Sequence, residues 1–109
     1  MQNLNKEVEI MLSHSKAFKM LNLSYSVSVR KIMLYLLREI KTNGIQDSYV
    51  SDICRKTHVT LSNAFSVIKE MQKANILETE KKGRIRFVRL TDIGLYIAEK
   101  MKEIEDALK

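Results

Sequence analysis

The stretch from Glu80 to Gly94, EKKGRIRFVRLTDIG, gathers five basic side chains, Lys81, Lys82, Arg84, Arg86 and Arg89, around Gly83 and then runs into Leu-Thr-x-x-Gly. A guanidinium is always charged and donates in several directions, so a cluster of this type at a turn suits the capture of phosphate groups. A second set lies upstream. Ser62, Ser66, Lys69 and Lys73 recur at helical spacing on one face, with Asn63 on its flank and Thr60 placed to cap the helix. Small polar residues let a helix approach base edges closely, where bulky ones would hold it off the floor of the major groove.

Other chemistries find no support in the residue types. His14 and His58 lie far apart with no carboxylate or cysteine at ligand spacing, so no metal site is expected. Three glycines form no phosphate-cradling loop, and no nucleophile stands at a supported spacing from a base. The chain is expected to be neither an enzyme nor a cofactor carrier. Cys54 is the only cysteine, which rules out an internal disulfide and fits a reducing compartment. It falls on the apolar face of a helix, as a small buried residue rather than a redox sensor. Phe65 and Tyr49 could stack on bases, but packing near the core is the expected role.

Composition agrees with a polyanionic partner. A chain of 109 residues with a formal net charge of +6 is one domain's worth of protein with positive summed potential. No apolar run approaches the roughly 18 residues of a membrane span, and the N-terminus lacks the order of a secretory signal. The expectation is a cytoplasmic protein without a membrane partner.

These residues need elements to position them. From Leu4 to about Leu21 an amphipathic helix is expected, with Leu4, Val8, Met11, Leu12 and Phe18 on its apolar side. Ser26 to Lys41 contains IMLYLL, apolar on nearly every side, and predicts the central helix, closed at Asn43 and Gly44. Next come two helices separated by a tight turn near His58 to Thr60. Asp47 or Ser48 could cap the first, whose apolar face is Val50, Ile53 and Cys54; Leu61, Ala64, Ile68 and Met71 stripe the second. A short capped helix, a brief turn and a second helix with a small-polar and basic outer face form a helix-turn-helix pattern.

ILETEKKGRIRFVRLT then reads as a hairpin turning at Lys82-Gly83. A two-residue turn there sets Leu77 opposite Val88 and Lys81 opposite Arg84. Leu77, Val88 and Leu90 then anchor the base, while Lys81, Arg84 and Arg86 line the same side at the tip. Ile93, Ile97, Met101, Ile104 and Leu108 stripe a terminal helix. The two end helices carry more apolar surface than one small domain covers, which predicts a homodimer through Leu4, Val8, Met11, Phe18, Ile97, Met101, Ile104 and Leu108.

The order of elements, the segment IKEMQKANIL and above all RFVRLTDIG resemble the winged helix-turn-helix transcription regulators, most nearly the MarR type. Met71 stands for that family's leucine, Asn75 for its glycine, and Ile76 and Leu77 for the apolar pair that follows. Val88, Leu90, Thr91 and Gly94 match the return of the wing. The resemblance runs from about Ser26 to Met101. His58 falls where a small residue or glycine is usual, Ser66 where arginine is common, and Phe65 where a short polar residue meets DNA.

The fold it implies is mainly α with a small β-hairpin wing, a winged helix-turn-helix domain with N- and C-terminal dimerisation helices. The expected division is 1–22 for the first helix, 26–91 for the winged-helix core and 92–109 for the last helix, in one domain. The resemblance implies that Ser62, Asn63, Ser66, Lys69 and Lys73 face the major groove of double-stranded DNA, with Lys81, Lys82, Arg84 and Arg86 on a neighbouring backbone or minor groove. It also implies that the first and last helices interlock across a two-fold axis, and that the protein is a sequence-dependent regulator, most simply a repressor. Two alternatives stay open: an architectural or replication-associated DNA-coating protein, and a winged helix used for protein contact. The residues assign no small-molecule effector.

Overall fold

The apolar run of the central segment forms helix α1 (Ser26–Asn43), which buries Val29, Ile32, Met33, Tyr35, Leu36 and Leu37 on several sides at once. Full burial of one such aliphatic side chain is worth about 1.5–3 kcal/mol, so α1 supplies much of the core. The computed structural model describes residues 26–109. The expected helix over 1–22, with Leu4, Val8, Met11 and Phe18, lies outside the described residues, as does His14.

After α1 come strand β1 (Ser48–Tyr49), α2 (Val50–Thr57), α3 (Leu61–Lys73), β2 (Leu77–Lys82), β3 (Ile85–Leu90) and α4 (Asp92–Ala107). Helices α2, α3 and α4 and strand β3 all pack on α1. The strands form one antiparallel sheet in the order β1-β3-β2. Four helices with this small sheet are the winged-helix arrangement.

Strand β1 is an addition to the expected hairpin. Ser48 pairs with Val88 and Tyr49 with Phe87, and the Ser48 side chain is buried. That pairing overturns the expected cap on α2. Tyr49 occupies the cap position with no side-chain hydrogen bond, Ser48 belongs to the sheet, and Asp47 turns to Arg89 instead.

The wing also turns one position later than expected. Lys82 pairs with Ile85, so Gly83 and Arg84 form the turn, and Leu77 lies opposite Leu90 rather than Val88. Gly83 has φ +63, whereas a Lys82-Gly83 turn of the common hairpin type would force Lys82 into the left-handed region as well. The turn therefore places its positive φ on the one residue without a Cβ. Because the register moves by two, the faces are unchanged: Leu77 and Lys81 still share a side with Arg86, Val88 and Leu90.

Candidate nucleic-acid interface

Helix α2 ends at His58, which takes the left-handed conformation at φ 59. That residue reverses the chain where a small residue or glycine was expected. Val59 is buried behind the turn, and the Thr60 hydroxyl oxygen accepts the Asn63 N–H at 3.3 Å to cap α3.

The rotation of α3 decides which side chains face solvent. Ala64, Val67, Ile68 and Met71 point inward, and Ser62, Asn63, Ser66, Lys69 and Lys73 are all exposed. Leu61 departs from the expected stripe, being 55% exposed while Val67 takes the buried place. Phe65 and Tyr49, expected near the core, are each 43% exposed. Phe65 sits on the outer side of α3, and Tyr49 leans on Phe87 with ring centroids 4.9 Å apart. Asn63 is partly engaged, donating its amide to the Ser28 hydroxyl at 3.3 Å. Lys73 pairs with Glu70 at 3.5 Å, and Lys69 has no ion-pair partner among the described residues.

Helix α3 hands the chain directly to the wing. The Ile76 N–H donates to the Met71 carbonyl and the Asn75 N–H to the Gln72 carbonyl, each at 3.0 Å, with Asn75 at φ 62. This is the helix ending in which a glycine or asparagine supplies the left-handed residue. Thr79 adds a second tie, its hydroxyl 3.3 Å from the Gln72 side-chain oxygen. At the far end of the hairpin Thr91 Oγ1 lies 2.7 Å from the Asn75 carbonyl and accepts the Gly94 N–H at 3.0 Å. The residues that carried the family resemblance thus clamp the wing's base to α3 and α4.

The five basic residues of the wing divide by what they touch. Arg89 makes a two-pronged ion pair with Asp47, at 2.8 and 3.0 Å, and the hydrogen bond to that carboxylate pushes its pKa further up. Its charge is answered inside the protein. Lys82 lies 3.9 Å from Glu80 and 5.5 Å from the centre of the Phe87 ring. Lys81, Arg84 and Arg86 have no acidic partner among the described residues. Lys81 stands directly opposite Arg86 across the sheet, a like-charge pairing that a bound polyanion would relieve.

Cys54 is half-buried, and its burial pushes the thiol pKa up, away from the reactive thiolate. Among the described residues, no group of three or more His, Cys, Asp or Glu could hold a metal ion. No described helix is long and apolar enough to cross a membrane. Of the expected dimer residues, Ile97 is buried in the chain's own core, Met101 packs partly against it, and Ile104 and Leu108 are 62% and 83% exposed.

No protein-family profile matches the chain. Over 66 residues it is 35% identical to an uncharacterised protein of Archaeoglobus fulgidus, a match spanning 61% of this chain and 70% of that relative. The crystal structure of AF1382 from Archaeoglobus fulgidus aligns with a TM-score of 0.71 at 29% identity, over 82% of this chain and 96% of that one. A MarR family transcriptional regulator from Silicibacter pomeroyi aligns with a TM-score of 0.62 at 18% identity, over 74% of this chain and 54% of its own length. The chain therefore belongs to the family of the uncharacterised Archaeoglobus fulgidus protein, and its fold is the winged helix of the MarR type.

Proposed function

We propose that the protein is a non-catalytic, cytoplasmic transcription regulator that binds double-stranded DNA as a homodimer, acting as a repressor by occluding a promoter. The observation that carries this reading is the wing. Three cations, Lys81, Arg84 and Arg86, stand without an acidic partner among the described residues, on a hairpin anchored to the end of an exposed, small-polar helix. Thr60, Ser62, Asn63, Ser66, Lys69 and Lys73 would meet the major groove, and Lys81, Lys82, Arg84 and Arg86 the neighbouring phosphates or minor groove. The Silicibacter regulator of the same fold supports the assignment. Exposed Ile104 and Leu108 at the end of α4 support a dimer that reads two half-sites about one helical turn apart.

Fluorescence anisotropy of a labelled random-sequence duplex across a salt series tests the reading. Removing one phosphate-binding cation should flatten the log-log salt slope by about 0.9, so Arg84→Ala/Arg86→Ala should flatten it by roughly one to two units. Absence of binding at low salt would refute a DNA regulator and favour an acidic protein partner.

One observation favours a second reading, a DNA-coating protein with little sequence preference. Ser62 and Ser66 are short, and one N–H of the Asn63 amide already serves Ser28, which leaves few side-chain groups for hydrogen-bonded readout of bases. Equal affinity for a selected site and for random duplex would decide for it.

A further inference from the structure

The residues Leu61, Phe65, Lys69 and Lys73 follow one another at intervals of four along α3, and all four are exposed. Side chains at that interval form a single ridge, with successive members about 6 Å apart along the axis. The ridge is apolar in its N-terminal half and cationic in its C-terminal half. Leu61 and Phe65, 55% and 43% exposed, are adjacent on the outside of the helix and make an apolar patch that a partner covering it would take out of water.

The charge on the same ridge selects that partner. Lys69 follows Phe65 on the same ridge with no acidic partner among the described residues, and Lys73 beyond it pairs with Glu70 at 3.5 Å on the exposed surface, so whatever meets Leu61 and Phe65 meets a cation beside them. A polyanion that also presents apolar groups fits both halves. In a helix-turn-helix the N-terminal residues of the second helix reach base edges, which places the apolar half of the ridge in the groove and the lysines toward phosphates. The apolar group presented by bases in the major groove is the C5-methyl of thymine.

We infer that Phe65, backed by Leu61, is a specificity-determining residue that recognises thymine methyl groups in the major groove. The inference rests on the DNA-binding reading and deepens it. Contact through a methyl group discriminates thymine from cytosine, and T·A from A·T, without a hydrogen-bond donor. That adds to the readout available from two short serines and an Asn63 that shares one N–H with Ser28.

The test uses the full chain and duplexes enriched by it from a random pool. Each enriched duplex is resynthesised with deoxyuridine at every thymine position, which removes the methyl and leaves charge and base pairing unchanged. The parent protein should bind the deoxyuridine form more weakly, by roughly fourfold for each contacted methyl. Phe65→Ala should bind both forms alike, and Arg84→Ala/Arg86→Ala should bind both more weakly while keeping the thymine preference. A parent that ignores the methyl group overturns the inference, as does a Phe65→Ala protein that still distinguishes the two forms. Failure to bind any duplex at low salt is a separate result that removes the DNA-binding reading and this one with it.

Discussion

At Gly94, on the first turn of α4, an added Cβ would lie 1.9 Å from the Ile76 carbonyl oxygen and 3.2 Å from Thr91 Oγ1. The obstacle is backbone, held in place by the Thr91 N–H and hydroxyl, so it cannot swing away as a flexible side chain would. Gly94→Ala should cost about 1–3 kcal/mol, read as a lower urea midpoint with an unchanged slope. His58 poses the opposite case. It is exposed and left-handed, a conformation that costs a residue with a Cβ and that glycine adopts freely. His58→Gly should raise stability by about 0.5–1 kcal/mol, the left-handed penalty less the chain entropy that glycine adds. A thermal midpoint below the parent's would show that His58 makes a compensating contact.

At the scale of elements, α1 carries the clearest pH dependence among the described residues. Burial first, and the Glu39 carboxylate second, push the Tyr35 hydroxyl from 10.0 to about 12. The folded state holds that proton more tightly than the unfolded chain does. The corresponding stability is complete below pH 10 and lost as pH rises toward about 12. Denaturation curves between those values should show stability falling more steeply for the parent than for Tyr35→Phe. Parallel curves would mean that the hydroxyl is not held from water. The wing obeys a different logic: its base is buried through Leu77, Val88 and Leu90, and its tip is charged and exposed. Changes at Arg84 and Arg86 should therefore alter DNA affinity and leave folding intact.

At the scale of the whole molecule, the exposed end of α4 bears on assembly. The apolar stripe of α4 changes role along its length, from Ile97 in the core, through Met101 at its edge, to Ile104 and Leu108 in solvent. Among the described residues the dimer proposal thus falls on Ile104 in the last turn of α4 and on Leu108 just beyond it. Ile104→Glu/Leu108→Glu should give monomers by light scattering and cost little stability in the monomer, since both side chains are already exposed. It should also weaken binding to a two-half-site duplex more than to a half-site. An unchanged dimer would place the interface elsewhere.

Much of this fold is legible in the residue order, because helices and hairpins write their periods locally. IMLYLL announces the central helix, Thr60 the cap of α3, and Gly83 the turn of the wing to within one residue. Gly44, read as a left-handed helix end, has φ +67, whereas Asn75 and Gly94 entered only through the family resemblance, and their left-handed backbone and close backbone approach emerge from the structure. The candidate cations of the wing and the polar residues of α3 could be named from spacing and charge alone. What only the tertiary structure decided is which partner each residue meets. A two-residue strand has no period, so β1 emerges only when Ser48 and Tyr49 pair with β3 some 40 residues later. Arg89 looks like its basic neighbours until Asp47 takes its charge. Leu61 and Phe65 read as core residues until the packing of α3 on α1 sets the helix's rotation and turns them outward. Periodicity tells that a helix has an apolar side, but long-range packing chooses which residues at that side's edge are buried, and at this edge the difference separates core from candidate recognition surface.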